Sequence, residues 1–275
     1  MMDIAGESLL AILGAVPFET SPLVDLLQGA EPFDLLDTRF HRGSYCGRSV
    51  IVGSTGLGKV NAAVTTAALL ERFPVKMVWS VGCAGAFEEG PLHVGDVLVA
   101  LGTICGDEGV LTRNQILSTS HIGIPILVVG ENKYYDRIPL NGQSIMRKIM
   151  KATPEGCYSL AGPHRVAVLA GRALTEDISS ALFRLRHGPS LTVGMASGDM
   201  EVARNRFLRY GAYAENMEGS GVAQACFRYG IPVVECRGIS NTAGDRDKAH
   251  WRLDDAMSHC HGVILSWLQG LAPPD

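Results

Sequence analysis

The chain has 275 residues, of which 47% are hydrophobic and 19% are charged. This composition supplies enough apolar side chains for a substantial core and excludes an intrinsically disordered protein. The net charge of −4 and the pI near 6.1 argue against a nucleic-acid-binding surface or a polybasic membrane patch.

The N-terminus and the cysteines indicate a reduced, cytoplasmic protein. The first residues, MMDIAGES, are acidic, and the apolar run at 9–16 is too short to span a bilayer. The seven cysteines form neither a CxxC pair nor a Cys/His cluster with the spacing of metal ligands. We therefore expect no disulfide framework, no metal and no cofactor.

Short apolar runs alternate with helical patterns along the chain, as is typical of an α/β protein. Continuous apolar runs predict strands at 9–16, 49–54, 75–82, 95–102, 165–171, around 191–195, 212–217 and 231–240. Helices are predicted at 59–72, 218–229 and 251–271. The stretch 118–162 has weaker signals and several Pro and Gly breaks, so no order of elements is assigned to it.

The alternation of strands and helices predicts a three-layer α/β/α sandwich around a central mixed, mostly parallel twisted sheet. No repeat, low-complexity tract or linker divides the sequence, so residues 1–275 are interpreted as a single domain. Ligands of such sheets bind beyond the carboxyl ends of the strands. We therefore expect the functional site just after Val16, Gly53, Gly82, Met217 and Ile239.

A glycine-rich stretch, GSTGLGKV at 53–60, has the spacing of a phosphate-binding P-loop. A P-loop has Ser or Thr after its lysine, because that hydroxyl binds Mg²⁺, and here Val60 follows Lys59. Neither VLVALG nor VAVLAG ends in the acid of a Walker B strand. The favoured interpretation is a structural strand-to-helix turn in which the glycines allow tight geometry. A P-loop NTPase is kept as the weaker alternative.

Polar residues follow four of the predicted strands, at the edge of the sheet where a ligand is expected. Glu19 follows the first strand, and the small-residue run CAGAF at 83–87 follows the third. Glu218 begins a predicted helix, and RGISN at 237–241 ends the last strand. Each has a structural explanation when taken alone, such as complementing a helix dipole for Glu218. Their common position at one edge of one sheet indicates a shared site.

These motifs together resemble the nucleoside phosphorylase and nucleosidase superfamily. The resemblance rests on GAVPFE near the start, GLGKVNAA, SVGCAGAF followed by HVGD, ENMEG, and VECRGISN, and it is weakest across 118–162. The tail SNTAGDRDKAHW, the early VPFE and the run YYDRIPL are most similar to the futalosine hydrolases. Those enzymes release hypoxanthine from their nucleoside in a route to menaquinone.

The resemblance implies a role for each residue at the sugar. Glu218 would accept hydrogen bonds from the ribose 2′- and 3′-hydroxyls, with Met217 packed against the ring. Glu19 would act as the general base that activates water. Arg237 and Cys83 would orient that water, although Cys83 replaces the serine common among relatives and a thiol is a weaker hydrogen-bond partner.

At the purine base, Asn241 is the informative position. Adenine-specific nucleosidases have Asp there, whereas the NH₂ group of an amide matches the N7 and O6 acceptors of a 6-oxopurine. The resemblance also places Ser240, Gly85 and the backbone near Val202 around the substrate. Glu201 stands where relatives often have an aromatic residue that stacks on the base.

Hydrolysis is favoured over phosphorolysis, because no basic residue follows the first strand before Arg39 and Glu19 would repel a phosphate dianion. The far end of futalosine carries a carboxylated aromatic ring, for which Arg246 and Trp251 are candidates and Arg137 a weaker one. A solvated loop and a helix anchor are the structural alternatives for Arg246 and Trp251.

Three other activities stay open: a methylthioadenosine/adenosylhomocysteine nucleosidase, a purine nucleoside phosphorylase and a non-catalytic nucleoside-binding module. The expected partners are a small-molecule nucleoside and, by resemblance only, further copies of the same chain in a homo-oligomer. Neither nucleic acid nor a membrane is expected as a partner.

Overall fold

The computed structural model describes residues 9–113, 116–140, 144–160, 166–168 and 182–270. The helices of this part of the chain are α1 (Pro17–Val24), α2 (Lys59–Arg72), α3 (Ser144–Ala152), α4 (Met200–Tyr210), α5 (Gly219–Arg228) and α6 (Leu253–Gly270). Its strands are β1 (Leu9–Gly14), β2 (Gln28–Leu35), β3 (Thr38–Tyr45), β4 (Arg48–Ser54), β5 (Val75–Ala86), β6 (Val97–Cys105), β7 (Val110–Leu111), β8 (Ile116–Leu117), β9 (Leu127–Val129), β10 (Asn132–Tyr134), β11 (Arg137–Pro139), β12 (Gly156–Leu160), β13 (Val166–Val168), β14 (Leu182–Thr192), β15 (Ala214–Asn216) and β16 (Val233–Thr242).

Twelve of these strands form one mixed sheet in the order β13-β12-β14-β6-β16-β5-β1-β4-β3-β2, with β11 beside β6 and β15 between β14 and β5. Neighbours β4, β1, β5 and β16 run parallel, as do β6 and β14. The β6–β16 pair and the outer pairs are antiparallel. The carboxyl ends of the parallel central strands therefore meet at one edge.

Alternate residues of the central strands pack against helices on opposite faces of the sheet. On β1, Leu10 and Ile12 belong to a core cluster that includes residues of α1, α3 and α6. Ala11 and Leu13 belong to a second cluster formed with α2 and α5. Because side chains of a strand alternate between its two faces, these two cores lie on opposite sides of the sheet. The predicted three-layer sandwich with a mostly parallel centre is confirmed.

Most predicted elements are present, with shifted ends. Helix α2 has the predicted bounds, and β5 continues through CAGAF to Ala86 instead of ending at Gly82. VPFET, interpreted as a turn, opens α1, with Pro17 at the first helical position where its missing N–H costs nothing. Of the strand predicted at 165–171, Val166–Val168 is present and the rest lies outside the described residues.

The β2–β3 hairpin and α4 were absent from the predicted elements. β2 is exposed along most of its length, so its sequence has no apolar run that would predict a strand. α4 has only two buried residues and begins at an Asp199 cap, whose carboxylate accepts from the Val202 N–H. None of the described helices combines the length and hydrophobicity that crossing a bilayer requires.

Candidate active site

A cavity of about 310 Å³ opens at the carboxyl ends of the central strands, where the sequence predicted a site. Most of its wall is apolar, with Val16, Leu57 and Val193 among the lining residues. Eight of the predicted site residues line it: Glu19, Cys83, Gly85, Met217, Glu218, Ser240, Asn241 and Arg246.

Glu19 is held by the backbone of two strand ends. Its Oε2 accepts hydrogen bonds from the N–H groups of Ala15 at 2.6 Å and Val16 at 3.3 Å. Its Oε1 accepts from the Cys83 N–H at 2.8 Å. With 7% of its surface exposed, the carboxylate is fixed in place but still borders the cavity. Such a group can take a proton from a water molecule bound beside it.

Gly82 leaves the space that brings Glu19 close to Arg237. A Cβ atom at this position would lie 2.6 Å from Glu19 Oε1 and 2.8 Å from Arg237 Nη1. Both distances are shorter than van der Waals contact, so no other residue fits without displacing these groups. The glycine of SVGCAG therefore allows an acid and a guanidinium to approach each other behind the cavity.

Arg237 lies directly behind the cavity and is 1% exposed. Its Nη2 donates to the Ser80 hydroxyl at 3.0 Å, and its Nε donates to Glu235 Oε1 at 3.1 Å. Its Nη1 lies 3.9 Å from Glu218 Oε2. Burial alone would lower the pKa of this guanidinium, but Glu235, Glu218 and Glu19 together raise it. Arg237 is thus a permanent buried cation on a central strand of the sheet.

Glu218 is the N-cap residue of α5 and 7% exposed. Its Oε1 accepts from the Gly58 N–H at 3.0 Å, and its own N–H donates to Asn216 Oδ1 at 3.0 Å. Burial raises the pKa of the carboxyl, Arg237 and the Gly58 N–H oppose the rise, and Glu19 adds to it. The side chain therefore presents a desolvated acid with remaining acceptor capacity to the cavity.

The GSTGLGKV stretch takes part in the same site through its backbone. Gly58, with a positive φ of 90°, aims its N–H at Glu218, and Leu57 lines the cavity. Lys59 forms ion pairs with Asp107 and Glu108, and Val60 is 75% exposed. The lysine is thus committed to two carboxylates, and the motif serves as a strand-to-helix turn that supports Glu218.

Asn241 and Ser240 lie at a bulge of β16 against Gly85. Ser240 donates its hydroxyl to Asn241 Oδ1 at 2.8 Å, and Asn241 Nδ2 donates to the Thr242 carbonyl at 2.9 Å. A Cβ at Gly85 would lie 3.3 Å from Nδ2, so the amide nitrogen sits at the cavity wall beside this glycine. Because Ser240 anchors the oxygen end and the Thr242 carbonyl takes one N–H, the amide has one N–H left to present to a ligand.

Cys83 contributes its backbone more than its thiol. Its N–H donates to Glu19, while burial and then the nearby Glu19 raise the pKa of the Sγ–H well above its usual value. The thiol therefore stays protonated and is no nucleophile at neutral pH. Its place in the cavity wall is that of a small, weakly polar side chain.

Arg246 and Trp251 lie together at the cavity lining, in the loop between β16 and α6. The guanidinium carbon of Arg246 is 5.0 Å from the Trp251 ring centroid, within cation–π distance. The Trp251 indole N–H donates to the Asp245 carbonyl at 3.2 Å, and Asp245 also pairs with His250. The loop thus presents a positively charged, flat platform beside Asn241.

Three of the candidate residues do not line the cavity: Arg237, which lies behind it, and Val202 and Arg137. Val202 is 40% exposed, and its N–H donates to the Asp199 cap of α4. Arg137 lies on β11, where its guanidinium donates to the Tyr210 carbonyl at 2.9 Å and lines other surface depressions.

Three residues that support the site were not identified from the sequence. Glu215 lines the cavity and pairs with Arg206 at 3.0 Å. Asn216 and Glu235 form a buried network behind Glu218 and Arg237. The available signal was a charged residue inside the apolar run VVECR, since a carboxylate is almost never buried without a partner.

The described residues hold no group of three side chains arranged to bind a metal ion. The cavity combines a fixed carboxylate, a second desolvated carboxylate and an amide NH₂ within an apolar wall. Such an arrangement can bind hydroxyl groups, donate to a heterocycle and activate water without a metal.

The fold and this constellation define the class: the chain belongs to the phosphorylase superfamily, whose family model matches residues 9–268. Among curated relatives, the chain is 32% identical to a futalosine hydrolase of Thermus thermophilus over 83% of each chain. It is 28% identical to a 5′-methylthioadenosine/S-adenosylhomocysteine nucleosidase of Bacillus thuringiensis, over 95% of this chain and 99% of the relative.

Solved structures show the same fold. The structure of a 5′-methylthioadenosine/S-adenosylhomocysteine nucleosidase from Neisseria meningitidis, in complex with methylthio-immucillin-A, matches with a TM-score of 0.74 at 19% identity. The match covers 96% of this chain and all of that one. The predicted superfamily is confirmed, and its curated relatives named here are nucleosidases that differ in substrate.

Proposed function

We propose that this protein hydrolyses the N-glycosidic bond of a 6-oxopurine nucleoside, with futalosine as the best single substrate and hypoxanthine as the released base. The observation that carries the proposal is the convergence of Glu19, Glu218 and Asn241 on one cavity. Each supplies a different requirement of the reaction: a base for water, a carboxylate for the sugar and an amide for the purine.

At the sugar, Glu218 would accept from the ribose hydroxyls with the lone pairs that Gly58 and Arg237 leave open. Its negative charge would also favour the positive charge that develops on the ribose ring in the transition state. Met217 lines the cavity beside it and would pack against the ring through its flexible thioether.

At the nucleophile, Glu19 would take a proton from water as its oxygen bonds to C1′ and the bond to the purine breaks. The electron pair of that bond leaves with the purine, which takes up a proton from solvent, and Glu19 later returns its proton to solvent. Arg237 sits too deep to bind a free phosphate, since it is buried behind the cavity and bonded to Glu235. The two acids at this end would repel a phosphate dianion, which supports hydrolysis over phosphorolysis.

At the purine, the Ser240 hydroxyl fixes which end of the Asn241 amide faces the base. A 6-oxopurine offers N7 and O6 as acceptors for the remaining N–H of the amide, whereas adenine has its own amino group in place of O6. A mispaired polar group in a buried site costs about 1–3 kcal/mol. This chemistry favours hypoxanthine over adenine.

At the distal end, the Arg246–Trp251 platform fits an aromatic carboxylate. The Trp251 ring offers a flat apolar face, and the exposed Arg246 guanidinium can pair with a carboxylate. A methylthio substituent has no carboxylate, and a homocysteine substituent has a carboxylate but no aromatic ring, so the flat face of Trp251 favours futalosine among the nucleosides hydrolysed by relatives.

The experiment is product analysis with purified protein and three nucleosides: futalosine, inosine and 5′-methylthioadenosine, each with and without phosphate. We expect hypoxanthine from futalosine at a rate that phosphate does not change. Adenine from methylthioadenosine as the preferred reaction would instead assign the second candidate, a methylthioadenosine/adenosylhomocysteine nucleosidase. Turnover that requires phosphate would assign a phosphorylase, and binding without turnover would assign a nucleoside-binding module.

We also propose that the protein works in the cytoplasm as a homo-oligomer. All seven cysteines are free thiols, as a reducing compartment allows. Val60 and Val64 lie one turn apart on α2 and are 75% and 53% exposed, and the neighbouring Leu57 is 59% exposed at the cavity. Light scattering tests the oligomeric state. We expect a mass at least twice that of the chain, and the mass of a monomer would contradict the homo-oligomer.

A further inference from the structure

Glu235 is a carboxylate on β16 that is 1% exposed and lies behind the cavity, two residues before Arg237. Three donors converge on its Oε1. These are the Ser190 hydroxyl at 2.7 Å, the Asn216 amide at 3.0 Å and the Arg237 Nε at 3.1 Å. One oxygen atom therefore ties together β14, β15 and β16.

Asn216 extends this connection to the ribose-binding candidate Glu218. Its Oδ1 accepts from the N–H groups of Glu218 at 3.0 Å and Gly219 at 2.8 Å, while its Nδ2 donates to Glu235. The start of α5, and with it the Glu218 side chain, is thus held in register with β16.

The two nearest carboxylates, Glu235 and Glu218, lie at different distances from the Arg237 guanidinium. The guanidinium lies 3.1 Å from Glu235 in a hydrogen bond, and 3.9 Å from Glu218 without one. A buried cation needs a counter-charge, and without Glu235 it would draw on the nearest remaining carboxylate. That carboxylate is Glu218, whose oxygens are the acceptors offered to a ligand.

The second oxygen of Glu235 shows that the charge is held at a cost. Among the described residues, Oε2 has no hydrogen-bond partner, and a Cβ added at Gly219 would lie 2.5 Å from it. An unpaired buried acceptor destabilises the folded protein. An apolar residue would avoid this cost but would leave the buried Arg237 cation without its bonded counter-charge, so the carboxylate is kept for its negative charge.

We propose that Glu235 is a positioning residue of the site: it holds the guanidinium of Arg237 and the amide of Asn216, and its negative charge keeps Arg237 from closing on Glu218. The proposal rests on the function proposed above, because it assigns how the carboxylate meant for the sugar stays available.

The sign of the electrostatic effect follows from the surrounding groups. The charged groups that face the network from α1, β16 and the start of α5 are Glu19, Arg237 and Glu218. Burial raises the pKa of the neighbouring thiols of Cys83 and Cys236, so they are neutral. Replacing Glu235 by a neutral side chain leaves more of the Arg237 charge to act on Glu218, which stabilises the Glu218 carboxylate. The Glu218 pKa is therefore expected to fall.

The experiment compares Glu235→Gln with wild-type protein by ¹³C NMR titration of the glutamate carboxyl carbons, with the Glu218 signal assigned by its loss in Glu218→Gln. We expect the Glu218 midpoint to move to lower pH by about one unit, the size of a nearby-charge effect. In turnover assays the KM for the nucleoside should rise roughly tenfold and more than kcat falls, because one charge-assisted contact to the sugar is weakened.

Two further variants separate charge from structure. Glu235→Asp keeps the charge but shortens the side chain, so the Glu218 midpoint should stay at the wild-type value even while kcat falls. Asp96→Asn neutralises another buried carboxylate, which accepts from the His93 and Arg184 N–H groups and has no contact with this network. In Asp96→Asn, the titration midpoint of Glu218 and the KM for the nucleoside should therefore match those of the wild-type protein.

An unchanged Glu218 midpoint in Glu235→Gln, or an equal shift in Asp96→Asn, would overturn the proposal. If Glu235→Gln fails to fold, a shifted midpoint in Glu235→Asp overturns it equally. If wild-type protein releases no base from any nucleoside, the function proposed above fails, whereas the titration still decides the role of Glu235.

Discussion

Replacing Glu19 by Gln removes the base that would activate water while keeping the size of the side chain. The carboxylate accepts hydrogen bonds at both oxygens, from Ala15 and Val16 at one and from Cys83 at the other. A carboxamide has one acceptor end, so in either orientation its NH₂ meets an N–H donor. One such buried mismatch costs about 1–3 kcal/mol of stability, which corresponds to a fall in Tm of roughly 2–10 °C.

The effect on the rate of Glu19→Gln should be much larger than the effect on stability. Loss of a general base lowers kcat by about 100- to 10,000-fold, or roughly 3–5 kcal/mol of transition-state stabilisation. The nucleoside itself does not depend on Glu19 for its ground-state contacts, so its Kd should change by less than about tenfold. Base release measured by chromatography gives kcat, and calorimetry gives Kd.

The matched control is Glu31→Gln, which changes the same functional group on the exposed strand β2 and should leave kcat and Kd at wild-type values. Base release by Glu19→Gln at the parent rate would refute the assignment of Glu19 as the base. A loss of binding equal to the loss of rate would instead assign Glu19 to substrate binding.

Four further predictions address the remaining groups. Glu218→Ala should raise KM and lower kcat, because its ribose contact would act in both the ground and transition states, and unchanged kinetics would return the residue to helix capping. In wild-type protein, kcat/KM should fall with decreasing pH at a midpoint above that of an ordinary glutamate, since burial raises the Glu218 pKa and the protonated acid loses acceptor capacity. Asn241→Asp should shift the kcat/KM ratio towards adenine nucleosides by about 10- to 100-fold, whereas the exposed control Asn205→Asp should not, and an unchanged ratio would contradict the role of the amide. Gly82→Ala should lower kcat by about 100-fold through displacement of Glu19, and wild-type kcat would show that the position tolerates a Cβ.

The sequence predicted the parts of the fold that depend on burial. Runs such as LLAILG and VKMVWS are apolar on both faces because their strands are covered by helices on both sides, and this pattern is visible without a structure. The β2–β3 hairpin was not predicted because β2 is mostly exposed, β3 is mostly half-buried, and neither strand has a clear apolar face. The described elements of 118–162 are strands of three to five residues, a short 3-10 turn and one nine-residue helix, below the length at which periodicity is informative.

The sequence predicted the site residues that follow strand ends. It did not predict the buried residues that hold them in place through contacts between distant parts of the chain. Glu19, Glu218 and Asn241 lie where the rule for parallel sheets places ligands. Glu235 lies within a strand, and its function as a partner of Arg237 depends on side chains of β14 and β15 that are distant in sequence. Such partners are set by packing of separate elements, which spacing along one chain does not report.

The GSTGLGKV stretch has the spacing of a phosphate-binding loop but a different function in this fold. Its glycines do bring a backbone N–H to a carboxylate oxygen, as phosphate-binding loops do for their ligand. Here the acceptor is Glu218 of the protein itself, and Lys59 is neutralised by Asp107 and Glu108. The same local geometry thus supports an acid instead of holding a nucleotide.

The most direct test of the account is a crystal structure of the Glu19→Gln variant with a bound 6-oxopurine nucleoside, which the variant should hold without cleaving. The account predicts the purine against the Asn241 amide, the ribose hydroxyls on Glu218, and C1′ facing the side chain at position 19. A nucleoside bound outside this cavity, or one whose sugar lies away from Glu218, would contradict it.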